Sequence, residues 1–122
     1  MIKKILIVDD EADVLEVLGA RLSSIGYQVV KAGNGREAID KARIEMPNLI
    51  ILDILLPDID GEDVAQALRN MPLTKDIPII YLTCLFTKQD EKREGHQINK
   101  NLFVAKPYDI KELLDLISKT IR

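Results

Sequence analysis

The sequence predicts a doubly wound α/β domain, a three-layer sandwich with a parallel sheet between two layers of helices. Three features carry that expectation. Short apolar runs alternate five times with stretches of helical periodicity, the pattern of repeated βα units. The runs are almost continuously apolar, as strands buried on both faces are. Polar residues of a few chemical types follow four of the runs, at the sheet edge where open α/β folds keep their sites.

Ile5-Leu6-Ile7-Val8 reads as the first strand. Val14, Leu15, Leu18, Leu22 and Ile25 then recur at helical spacing, and Gly26 closes that helix. Tyr27-Gln28-Val29-Val30 is a second strand. Asn34 with Glu37 three residues on forms a capping box for a helix with Ala38, Ile39 and Ala42 inward, ended by Pro47. Leu49-Ile50-Ile51-Leu52 is the third and most apolar strand, followed by a loop and a helix carrying Val64, Ala65 and Leu68. Ile79-Ile80-Tyr81-Leu82 and Leu102-Phe103-Val104-Ala105 are the fourth and fifth strands. Asp109 and Glu112 cap a last helix that buries Leu113, Leu114, Ile117 and Ile121. Residues 87–100 carry almost no apolar stripe, so a short fourth helix or a functional loop is expected there.

Bulk properties narrow the function. A chain of 122 residues suffices for one domain, residues 1–122, and for one core. A net charge of −3 disfavours direct nucleic-acid binding, which needs clustered Lys and Arg. No run of about 18 apolar residues suggests a membrane span. The N-terminus lacks a signal-peptide pattern and Cys84 is the only cysteine, which together point to a reducing cytoplasm. His96, the only histidine, has no His or Cys companion for a metal site.

The residues after each strand carry the chemistry. Asp9 and Asp10 follow the first strand, Asp53 the third, Thr83 the fourth and Lys106 the fifth. Each has a bland reading by itself: Asp10 as a helix cap, Asp53 as a turn residue, Thr83 as a strand-end hydroxyl, Lys106 as a solvated cation. Those readings do not explain their arrival at one sheet edge. Three packed carboxylates repel one another, and one ammonium leaves an excess of negative charge. A hard divalent cation with oxygen ligands, Mg²⁺ or Mn²⁺, is the natural completion. Such a cation beside a Lys and a Thr would receive a phosphoryl group, with a neighbouring carboxylate as nucleophile.

The motifs resemble the receiver (response-regulator) family along the whole chain. The carriers are Ile5-Leu6-Ile7-Val8-Asp9-Asp10-Glu11, the segment from Leu49 through Asp53, Pro57 and Gly61, Ile79-Ile80-Tyr81-Leu82-Thr83, and Phe103-Val104-Ala105-Lys106-Pro107. The resemblance implies a flavodoxin-like sheet of order 2-1-3-4-5 and a phosphoacceptor signalling role rather than an enzyme. Asp53 would take the phosphoryl group. Asp10, Asp53 and the backbone carbonyl of Leu55 would bind Mg²⁺, with Asp9 acting through a water. Lys106 would pair with a phosphoryl oxygen, or with Asp53 beforehand. Thr83 and Phe103 would be the switch pair, and Lys106–Pro107 a cis peptide. The implied partners are a sensor histidine kinase or histidine phosphotransfer domain, a downstream protein or output domain, and a second copy on phosphorylation.

Two departures have consequences. Cys84 stands where the family usually has Ala or Gly, and Leu55 and Leu85 stand where fast members carry polar groups that orient water. A long-lived phosphorylated form is expected. The competing readings are a small phosphatase-like enzyme and an interaction module that has lost phosphorylation. The enzyme would want a second acid where Leu55 stands, and a nucleotide site would want a glycine-rich loop after the first strand.

Overall fold

The computed structural model describes residues 2–83, 97–98 and 101–121. Strands β1 (Lys4–Val8), β2 (Gln28–Ala32), β3 (Leu49–Asp53), β4 (Ile79–Thr83), β5 (Gln97–Ile98) and β6 (Asn101–Ala105) form one sheet. Helices α1 (Ala12–Ser24), α2 (Gly35–Glu45), α3 (Gly61–Arg69) and α4 (Ile110–Ile121) cover it. The strand order is β2-β1-β3-β4-β6-β5. The five principal strands are all parallel, in the expected 2-1-3-4-5 order. One feature departs from expectation: Gln97–Ile98 adds a short antiparallel strand beyond β6. Otherwise the helix or loop expected within residues 87–100, with Cys84, Leu85 and His96, lies outside the described residues.

The continuous apolar runs are explained by two separate cores, one on each face of the sheet. Leu6, Val8, Ile50, Leu52, Ile79 and Tyr81 point to α2 and α3 and meet Ala38, Ala42, Val64, Ala65 and Leu68. Their strand neighbours Ile5, Ile7, Leu49, Ile51, Ile80 and Leu82 point the other way and meet Leu18 and Leu22 of α1 and Leu113, Ile117 and Ile121 of α4. Side chains alternate across a strand, so only a strand apolar at every position can feed both cores. Truncating one of these, such as Ile50, to Ala would cost about 2–5 kcal/mol.

The helix ends follow from local chemistry. Gly26, at φ 107°, supplies the left-handed residue just past α1. Met46 takes that role after α2, at φ 48°, and its amide returns to Ala42. Asn34 Oδ1 accepts from the Glu37 amide at 2.8 Å, while Glu37 Oε1 accepts from the Gly33 amide at 2.7 Å. The Asn34 half is the expected capping box, while the return bond from Glu37 falls on Gly33, one residue before the cap. Ile25 corrects the sequence reading: it is 52% exposed, because α1 ends at Ser24 and the chain turns before Ile25 can face the core.

Candidate functional site

Parallel pairing brings the ends of β1, β3, β4 and β6 level with one another. Val8 pairs with Leu52, Asp53 with Leu82, and Thr83 with Ala105. The chain keeps bonding just past the strand ends. The Asp9 amide donates to the Ala32 carbonyl, Ile54 to Leu82, and Lys106 to Thr83. Asp9, Asp53, Thr83 and Lys106 are therefore held by backbone bonds at one sheet edge.

The carboxylates converge. One oxygen from each of Asp9, Asp10 and Asp53 lies within 4.8 Å of the others. Asp9 and Asp53 are buried while Asp10 is exposed. The Lys106 ammonium bridges the buried pair, 3.0 Å from Asp53 Oδ2 and 3.2 Å from Asp9 Oδ2. The second oxygen of each accepts a backbone amide two residues on: Asp53 Oδ1 from Leu55 at 3.1 Å, Asp9 Oδ1 from Glu11 at 2.9 Å. Burial works to lower the Lys106 pKa, but the hydrogen bonds and negative charges of Asp53 and Asp9 prevail and hold it above the usual lysine value. Lys106 is thus an ammonium at neutral pH. Three carboxylates facing one ammonium keep an excess of negative charge, and an all-oxygen donor set of this kind suits a hard divalent cation.

Of the remaining predicted residues, Leu55 and Thr83 are tied to this cluster, the Leu55 amide by its bond to the Asp53 carboxylate and the Thr83 carbonyl by its bond from the Lys106 amide. Thr83 is buried at the end of β4. Leu55 turns its side chain outward, 53% exposed. Phe103 is half-buried and stacks on Tyr81, with ring centroids 5.0 Å apart and planes at 22°. The Tyr81 hydroxyl accepts from Arg69 Nη2 at 3.3 Å. The Lys106–Pro107 peptide is cis. A cavity of about 360 Å³ opens beside the cluster, lined by Glu11, Val14, Lys106, Pro107 and Tyr108.

The match to known proteins is extensive. The family model for the response regulator receiver domain matches residues 5–118. The chain belongs to the receiver-domain family. Among curated relatives, a probable transcriptional regulator, ycf27, of Cyanophora paradoxa is 43% identical over 120 residues, 98% of this chain and 48% of the relative. The alkaline phosphatase synthesis transcriptional regulatory protein PhoP of Bacillus subtilis is 36% identical over 122 residues, 100% of this chain and 50% of the relative. The chain thus spans about half the length of these relatives. Among solved structures, a putative response regulator from Chloroflexus aurantiacus superposes with a TM-score of 0.84 at 35% identity, covering 99% of this chain and 98% of that one. The receiver domain of a sensor histidine kinase from Pseudomonas aeruginosa gives 0.83 at 29% identity, with the same coverage, and was solved with magnesium coordinated in its active-site cleft.

This receiver domain is a signalling module of the two-component response regulators. Its acidic cluster is the Asp9–Asp10–Asp53 group. Among its described residues, no helix is long and apolar enough to cross a membrane. Two residues near the site escaped the sequence reading. Asp58 reaches the start of α2, its Oδ1 accepting from the Gly35 amide at 2.8 Å and its Oδ2 from Arg36 at 2.9 Å. These bonds, Arg36's first and then Gly35's, pull its pKa below the ordinary carboxylate value. Tyr108, whose pKa is raised mainly by burial, stands in the field of Lys106 and Asp9. Asp58 had no readable signal because its partners lie far away in sequence, and Tyr108 had none because its burial depends on the packing of the whole domain.

Proposed function

We propose that Asp53 is the phosphoacceptor of this receiver domain and that Asp9, Asp10, Asp53 and the Leu55 carbonyl form its Mg²⁺ site. The observation that carries this reading is the Lys106 ammonium bridging Asp9 and Asp53, beside a third carboxylate on the same sheet edge. Such a cluster attracts a cation and then a phosphoryl group. When bound, the cation neutralises phosphoryl oxygens as charge redistributes during transfer.

An Asp53 carboxylate oxygen attacks phosphorus. The bond from phosphorus to the donor nitrogen of a phosphohistidine breaks, and its electron pair leaves with the imidazole. Asp53 becomes an acyl phosphate. Lys106, already 3.0 Å from Asp53, follows the new negative charge. The Thr83 hydroxyl donates to the same group, and the ring of Phe103 shifts with it. This is a charge change at one residue acting on a two-state element. The domain therefore assists its own phosphorylation and slow dephosphorylation without turning over a substrate.

The phosphoryl donor is a sensor histidine kinase or a histidine phosphotransfer domain. The readout is a downstream protein or an attached output domain. By likeness to the transcriptional regulators above, control of gene expression is that output, and phosphorylation-dependent pairing of two copies is one route to it. The domain acts in the cytoplasm and does not itself bind nucleic acid.

Incubation with acetyl phosphate and Mg²⁺, followed by intact-mass measurement, tests the reading. One phosphoryl adduct is expected, lost in Asp53→Ala and in EDTA. An adduct that survives Asp53→Ala would contradict it.

A further inference from the structure

A helix begins with backbone amides that no carbonyl of its own can satisfy. In α2 the Glu37 amide goes to Asn34 within the capping box. The Gly35 and Arg36 amides go to Asp58, at 2.8 Å and 2.9 Å. Asp58 belongs to the loop of residues 54–60, which follows Asp53. Helix α2 is therefore capped half by its own sequence and half by the acceptor loop. A charged acceptor on two helical amides is an oriented contact, though Asp58 is exposed to solvent.

The same loop is fastened at its base. The Gly61 amide donates to the Ile54 carbonyl at 2.8 Å. A Cβ at Gly61 would stand 2.7 Å from the Asp53 carbonyl oxygen, so only glycine lets α3 start this close to β3. Beside Asp58, Ile59 lies flat on Gly35, where a Cβ would collide with it and with Val64. Between base and tip, the Leu55 amide donates to Asp53 Oδ1 at 3.1 Å. Two bonded ends are thus joined by the short stretch Leu56-Pro57: Asp58 on the first turn of α2, and the Leu55 amide on the Asp53 carboxylate.

We infer that Asp58 is a positioning residue for the cation site. It holds residues 55–60 in the arrangement that presents the Leu55 backbone and the Asp53 carboxylate together, and so couples cation binding to the start of α2. The inference rests on the metal reading proposed above. Coupling of this kind is reciprocal: whatever Asp58 adds to cation affinity, the cation returns as added order in the first turn of α2. A mere cap would stabilise α2 and leave cation affinity alone.

Calorimetric titration with Mg²⁺ on the folded wild type, Asp58→Ala and Asp58→Asn measures the first half. Amide exchange at Gly35 and Arg36 in the wild type, with and without Mg²⁺, measures the second and needs no variant. The expected result is a Kd about tenfold weaker in Asp58→Ala, an ordinary size for coupling between two linked sites. Asp58→Asn, which keeps one acceptor oxygen, should lose less, and Mg²⁺ should slow exchange at both amides. An unchanged Kd in folded Asp58→Ala, or exchange indifferent to Mg²⁺, would overturn the inference while leaving the metal site standing. A wild type that takes up no Mg²⁺ would overturn the metal reading and this inference with it.

Discussion

Lys106 Nζ stands 3.0 Å from Asp53 Oδ2, although 53 positions separate the two residues in the chain. The pair exists because β3 and β6 flank β4 in parallel, so both chain ends emerge at one edge. Lys106 also holds Asp9 Oδ2 at 3.2 Å, which leaves it shared between two acids. Asp10, the third acid, has no ion pair among the described residues.

Asp10→Asn should stabilise the domain in the absence of divalent cations, because it removes one of three mutually repelling carboxylates. The gain should be roughly 1 kcal/mol, the size of a like-charge contact at this separation in a solvated site. In Mg²⁺ the ranking should reverse, since the wild type gains binding energy that the variant lacks. Urea titrations with and without Mg²⁺ would show the crossover; a variant less stable in both would contradict it.

Gly61→Ala should be costly. The new methyl group would meet the backbone of Asp53 and Ile54 at 2.7 Å, and neither is a flexible side chain that can step aside. A loss of about 1–3 kcal/mol is expected, as for other overpacked sites, together with slower phosphorylation as the acceptor strand shifts. Thermal melts and adduct formation over time measure the two effects.

Asp58 gives the domain an acid-sensitive contact. Its folded pKa lies below the ordinary value of 3.8 because the Arg36 and Gly35 amides favour its charged form. The sign follows: its contribution is present in full above the unfolded pKa and is lost as pH falls through the folded one. Asp58→Asn should therefore remove part of the decline in stability below about pH 4 and change its slope little near neutrality. Denaturation midpoints across that range in both proteins provide the comparison.

Leu55 should set the lifetime of the proposed phosphorylated state. Its side chain is 53% exposed, and a leucine cannot orient a water for hydrolysis. The acyl phosphate is expected to last minutes to hours, and Leu55→Asn to shorten it. A wild-type half-life of seconds in Mg²⁺ would contradict this.

Much of the molecule was legible because its physics is local or periodic. β1, β3 and β4 are apolar at every core position, which only strands buried on both faces require, and the site residues follow directly from their ends. The capping box of Asn34 and Glu37 is equally local. What escaped depends on distant partners. Asp58 lies more than 20 positions from Gly35 and Arg36, and nothing in its own surroundings marks it as a cap. The stacking of Phe103 on Tyr81 comes from their pairing across β4 and β6. Ile25 fits the helical period but falls past the end of α1, where the period no longer governs. The strand Gln97–Ile98 is too short for any alternation to be read.

If Asp53 is the phosphoacceptor, the phosphoryl group will be found on it. The protein is phosphorylated in Mg²⁺, the acyl phosphate is reduced with borohydride to fix its position, and the digested peptides are sequenced by mass spectrometry. Reduction at Asp53 alone is expected. Reduction at Asp9 or Asp10, or an unmodified Asp53 in a protein that carries the adduct, would contradict it.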